Sequence, residues 1–274
     1  MKSKFATWVP SWGGIFAIIL AFLAGVLFAS AATYLLSHNF SLGMDMMTLI
    51  SYPLMFLFVG VLVFFKSKNS FQKSPLSTSI GKENWPIVLW AVVLTFAAGF
   101  LSDLVNSVMP PMPEQLVKAL EAATGGNFWI NVLCVAVMAP LLEEWLCRGL
   151  ILRGLKSTGM RPWLAIVLSA LFFALIHGNP WQGIPAFMIG CLFGYVYHKT
   201  GSLRLPILMH FTNNFISILL SRVDEIGETD TWMDIMPREC YFVLLFVFIL
   251  VLVLGIREVS RFHIVNSKNV GTMA

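Results

Sequence analysis

The stretch "APLLEEWLCRGLILRGL", residues 139–155, decides the reading of this chain. Its apolar flanks suit a lipid bilayer, yet it carries Glu143, Glu144 and Arg148. Ionisable side chains inside a membrane are costly, so they are functional candidates by default and their partners have to be found.

The surrounding composition fits a membrane. The chain has 274 residues, of which 58% are hydrophobic and only 12% charged. Soluble domains carry roughly 25% charged residues. Several apolar runs reach about 18 residues, enough to cross the hydrocarbon core. The short alternating segments of a β-barrel are absent. These features predict an all-α, polytopic membrane protein with eight transmembrane helices and a site inside the bundle. The expected spans are 13–36, 48–65, 85–107, 127–149, 161–177, 181–199, 203–221 and 240–257. Residues 112–124, "MPEQLVKALEAAT", read as a short interfacial helix. Three parts follow: N-terminal helices and loops over 1–126, a core holding the polar motifs over 127–221, and an outer loop, last span and tail over 222–274.

Lysine and arginine set the orientation. With a cytoplasmic N-terminus and eight spans, 15 of the 18 basic residues fall inside, and only Lys118, Arg222 and Arg238 fall outside. Asp224, Glu225, Glu228, Asp230 and Asp234 then lie in an outer loop. The expected location is the plasma membrane, multi-pass, with both termini cytoplasmic. The apolar run after Lys2 and Lys4 has no clear small-residue cleavage site and reads as a retained first helix. The net charge of +4 is scattered through short loops, where topology explains it better than nucleic acid does. Cys134, Cys147, Cys191 and Cys240 lie in apolar segments without a CxxC pair, and read as small hydrophobes.

Two further polar sites lie on other spans: "FALIH" (173–177) and "HFTNN" (210–214). Glu144 and Arg148 are four residues apart, as are Phe173 and His177, and His210 and Asn214. Residues at that spacing share a helix face. With a turn near Thr158–Gly159, Glu143 lies roughly 22 Å before it and His177 roughly 27 Å after it, at about 1.5 Å per residue. His210 lies roughly 12 Å above the loop before the seventh span. The three pairs can therefore meet at one level, nearer the cytoplasmic face. Pro140 removes a backbone N–H just above the glutamates and predicts a kink there.

Such a cluster suits hydrolysis. A buried carboxylate beside water can act as general base. Glu144 and Arg148 can pair as a strut, while Glu143, about 100° around the helix, points elsewhere. Histidine and an amide can donate hydrogen bonds to an oxyanion. A zinc site built from Glu143, His177 and His210 is the rival chemistry. Against it, the sequence has no HExxH helix and no cysteine ligand, and asparagine is a weak zinc ligand.

The order EExxxR, FxxxH, HxxxN on successive membrane helices resembles the CAAX-protease and bacteriocin-processing family of intramembrane endopeptidases, which includes the type II CAAX prenyl endopeptidases. The motifs read "EEWLCR" (143–148), "FALIH" and "HFTNN", and the resemblance covers about residues 127–221. It implies that Glu143 activates the catalytic water, that His177 helps bind that water, and that His210 and Asn214 stabilise the oxyanion. It implies that Glu144 and Arg148 support the site, and no cofactor is required in this reading. The implied partners are the lipid bilayer and a peptide or membrane-protein substrate cut near the cytoplasmic face. The C-terminal "VGTMA" is not itself a CAAX box. Two other readings stay open: a non-proteolytic bacteriocin-immunity or scaffold protein of the same fold, and a transporter with a carboxylate relay. No repeat between the halves favours the transporter.

Overall fold

The computed structural model describes residues 8–69, 85–124, 126–223 and 231–262. Lys2, Lys4, Lys73, Lys82, Asp224, Glu225, Glu228, Asp230 and Lys268 fall outside the described residues, and with them part of the charge pattern behind the expected orientation.

Nine helices, one short 3-10 turn (Trp232–Asp234) and no strands make up the regular structure of the described residues. The helices are α1 (Trp12–Asn39), α2 (Met44–Asn69), α3 (Trp85–Asn106), α4 (Glu114–Thr124), α5 (Phe128–Ser157), α6 (Pro162–Leu175), α7 (Pro180–Thr200), α8 (Arg204–Leu220) and α9 (Arg238–Arg261). Among them α1, α2, α3, α5 and α9 are long and apolar enough to cross a bilayer. α6 is apolar but has only 14 residues. The protein is therefore a multi-pass, all-helical membrane protein. α4 occupies the stretch read as an interfacial helix.

Burial separates the helices by role. In its most apolar window α5 is 50% buried, whereas α9 is 11% buried. α5 is thus central, and α9 turns Phe242, Val243, Phe246 and Val253 outward. An apolar face of that extent is unusual against water and ordinary against lipid tails. Two packed clusters support the centre. Ile18 and Phe22 of α1, Val59 and Val63 of α2 and Leu146 and Leu150 of α5 build one. Leu94 of α3, Phe193 and Val196 of α7 and Leu205 and Met209 of α8 build the other.

Where 48–65 predicts one span, α2 is longer and is broken at Phe56. Pro53 has no N–H to donate into the helical ladder. The Phe56 N–H turns back to the Pro53 carbonyl at 3.2 Å. The break lies against α1 at Gly25, where an added Cβ would overlap the Met55 carbonyl. The absent side chain of Gly25 lets the two backbones approach.

α5 also departs from a plain helix. It starts on Asn127, whose side chain accepts from the Trp129 N–H at 2.9 Å, and it runs on to Ser157 rather than ending near 149. Wide π turns occupy Val132–Met138 and Trp145–Leu152, on either side of an α-helical piece, Ala139–Glu144. Pro140 stands at the first junction, where its missing N–H interrupts an α ladder already shifted to wider bonds. Both glutamates thus sit between two irregular turns. After Ser157 the chain reverses through Gly159 (φ +83°) into α6.

Candidate active site

The ion pair on α5 is fully buried. Arg148 Nη1 lies 2.7 Å from Glu144 Oε1, and neither side chain is exposed. Arg148 Nη2 donates to the Gly190 carbonyl of α7 at 2.7 Å. The guanidinium also stands 4.7 Å from the ring centroid of Phe173 and 5.6 Å from that of Phe193. A desolvated cation between two ring faces gains cation–π attraction, which helps offset its loss of water. Gly190 makes room for it, because a Cβ there would stand 3.2 Å from Nη2.

His210 of α8 connects this pair to the second glutamate. Its Nδ1 lies 3.1 Å from Glu144 Oε1 and its Nε2 lies 3.8 Å from Glu143 Oε2. A carboxylate held by Arg148 only accepts hydrogen bonds, so Nδ1 carries a hydrogen. The imidazole packs edge-on against Phe173, with centroids 5.3 Å apart. Phe173 therefore touches the rings of His177 and His210 as well as the arginine.

Glu143 faces a cavity of about 470 Å³ that Tyr52, His177, His210, Asn213 and Asn214 also line. The Tyr52 hydroxyl of α2 donates to Glu143 Oε1. Oε2 is buried and has no hydrogen-bond partner among the described residues. His177 lies beyond the end of α6 rather than on the helix, because the chain leaves the helix after Leu175 toward Gly178 at φ +72°. Its N–H still reaches the Ala174 carbonyl at 3.2 Å, and its Nδ1 lies 2.8 Å from the Phe173 carbonyl. That acceptor fixes the hydrogen on Nδ1 and leaves Nε2 as the acceptor of the neutral ring. Asn179 then caps α7, accepting from the Gln182 N–H at 2.9 Å. Asn214 gives one N–H to the Val135 carbonyl in the first π turn, at 2.8 Å.

One cavity thus gathers Glu143, Phe173, His177, His210 and Asn214, while Glu144 and Arg148 lie behind it. Among the described residues, no group of three or more His, Cys, Asp or Glu side chains is placed to hold a metal ion. Glu143, His177 and His210, the set expected to bind zinc if a metal is present, are not gathered into such a group.

Comparison with known proteins agrees with the motifs. The family described as type II CAAX prenyl endopeptidase Rce1-like matches residues 125–216, a stretch that contains all three polar pairs. The Staphylococcus aureus (strain USA300) protein named membrane-embedded CAAX protease MroQ is 26% identical over 170 residues, covering 56% of this chain and 65% of that protein. The chain is a membrane protein that is similar to CAAX proteases over the segment that carries its polar pairs. An uncharacterized 24.3 kDa protein of Escherichia coli is 24% identical over 224 residues, 80% of this chain and 94% of its own length. No solved structure matches significantly. The matched family and MroQ are both named as proteases, and MroQ as one embedded in a membrane.

Several contributors to the site lie outside the motifs. Tyr52 stands 91 residues before Glu143 and outside the family-matched segment. Gly190 and Phe193 come from α7, which carries no motif. Asn213, beside Asn214, donates to the Asn214 amide oxygen at 3.2 Å. Of these, only the unusual "TNN" run was open to notice in the sequence.

Proposed function

We propose that this CAAX-protease-like protein is an intramembrane endopeptidase in which Glu143 activates the hydrolytic water and no metal is required. The observation that supports this most is the asymmetry of the two glutamates. Each glutamate keeps one buried oxygen without a hydrogen bond, but Glu144 is paired with Arg148 and His210 away from the cavity, whereas Glu143 lines it.

In this mechanism a water binds between Glu143 Oε2 and His177 Nε2. Glu143 takes a proton from it, and the resulting hydroxide attacks the scissile carbonyl carbon. The carbonyl oxygen becomes an oxyanion, which accepts from His210 Nε2–H and from the second N–H of Asn214. Donation from both nitrogens of His210 requires the doubly protonated ring, and Glu143 and Glu144 flank it on either side. Glu143 then returns its proton to the leaving nitrogen as the C–N bond breaks. The products are a carboxylic acid and an amine, and the glutamate is restored.

The substrate would be a membrane-associated peptide or protein whose cut site enters the cavity from the bilayer. Purified protein in proteoliposomes, supplied with a library of internally quenched peptides, tests the reading. Cleavage that survives chelation of divalent metals and vanishes in Glu143→Gln is the expected result. Cleavage abolished by chelation and restored by zinc would overturn the metal-free mechanism.

A further inference from the structure

The two oxygens of Glu143 have different surroundings. Oε1 accepts from the Tyr52 hydroxyl, whereas Oε2 is buried without a hydrogen-bond partner, with His210 Nε2 at 3.8 Å. A phenol hydroxyl has one hydrogen to give, and here a carboxylate oxygen receives it. Tyr52 is itself held from two sides. Its ring packs on Phe56, with centroids 5.9 Å apart. It directly precedes Pro53, where α2 begins to break, and the break rests on α1 at Gly25. The hydroxyl therefore comes from a fixed point on a different helix.

We infer that Tyr52 is a positioning residue for the glutamate base: it anchors Oε1, and so selects Oε2 as the oxygen that meets the water. This rests on the reading of Glu143 as the base. Glutamate has three side-chain torsions, and α5 alone does not fix the last of them. Without the phenol, the carboxylate can rotate either oxygen into the cavity or turn toward His210. With it, one oxygen is immobilised and the other is held on the His210 side, 3.8 Å from Nε2. The residue reaches the site from outside the segment that carries the three motifs.

Tyr52→Phe in the full chain tests this, because it keeps the ring against Phe56 and removes only the donor. The first readout needs no substrate. In infrared spectra of the reconstituted protein, the carboxyl band that disappears in Glu143→Gln belongs to Glu143. That band is expected to shift in Tyr52→Phe, while the thermal unfolding midpoint stays close to wild type. The second readout is peptide release from membranes at matched folded protein level. Tyr52→Phe is expected to release the wild-type set of peptides about 10- to 100-fold more slowly, and to have no effect when added to Glu143→Gln. A Glu143 band unmoved by Tyr52→Phe, or release at the wild-type rate while Glu143→Gln releases nothing, overturns the role of Tyr52. Wild-type release by Glu143→Gln overturns the base reading instead, and a shifted band would then record the contact alone. If Tyr52→Phe lowers the unfolding midpoint as far as Tyr52→Ala does, the residue is structural and the proposal fails.

Discussion

His210 and Glu144 meet at 3.1 Å, through Nδ1 of one and Oε1 of the other, and this contact turns the far side of the imidazole toward Glu143. The same carboxylate oxygen holds Arg148 at 2.7 Å. A buried ion pair on one helix thus orients a histidine on another, and the motif EExxxR acts on the motif HxxxN through a single oxygen atom.

Removing Glu144 should therefore cost both fold and function. Glu144→Ala leaves Arg148 buried without its counter-charge, a loss of about 3–5 kcal/mol. Replacing both partners, as Glu144→Leu with Arg148→Met, is expected to recover most of that stability, because no unpaired charge remains. Activity should stay lost in the double variant, since His210 keeps no acceptor at Nδ1. Thermal unfolding in detergent and peptide release, measured on the same samples, separate the two effects.

Gly190→Ala probes the arginine cradle. The added Cβ would stand 3.1 Å from Phe173 Cδ1, 3.2 Å from Arg148 Nη2 and 3.3 Å from Ala170 Cβ. Crowding on three sides at once is expected to cost about 1–3 kcal/mol. The unfolding midpoint of Gly190→Ala checks this. Gly99→Ala is the control, because the nearest atom to its Cβ would be 3.9 Å away.

Gly25→Ala acts at a distance from the site. The new Cβ has no room against the Met55 carbonyl, so α2 must move away from α1 where it breaks. Tyr52 stands three residues before Met55 and is expected to move with it. Peptide release should fall in Gly25→Ala even under conditions where the protein remains folded. Gly60→Ala, where an added Cβ meets nothing within 4 Å, should leave release unchanged.

His210→Ala and Asn214→Ala bear on the oxyanion. Each is expected to lower turnover about 100- to 1000-fold with little change in KM, as loss of a transition-state donor does. Asn214→Ala also removes the donor to the Val135 carbonyl in the first π turn, so it should unfold more readily than wild type. Steady-state kinetics on one cleaved peptide, beside the unfolding midpoints, resolve the two contributions.

Much of the site was legible because its chemistry is carried by residue types that are costly in a bilayer. Glu143, Glu144, Arg148, His177, His210 and Asn214 stand out from an apolar background, and helical spacing pairs Glu144 with Arg148 and His210 with Asn214. Tyr52 did not stand out, since a tyrosine in an apolar helix is unremarkable until its partner across the bundle is known. Gly190 and Phe193 were hidden for the same reason. The π turns of α5 are a shift of backbone bonding that residue periodicity does not record. The break in α2 was written in Pro53, but an apolar run continuing past it read as one span. His177 left its helix because a glycine at positive φ follows it, and periodicity counts such residues as helical.

The central claim is that Glu143 activates water for peptide hydrolysis within the membrane. The most direct test compares, by mass spectrometry, the peptides released in membranes carrying wild type with those carrying Glu143→Gln, at matched folded protein level. The expected result is a set of peptides that disappears with the variant and whose ends mark the cut site. Identical peptide sets from the two would contradict the claim.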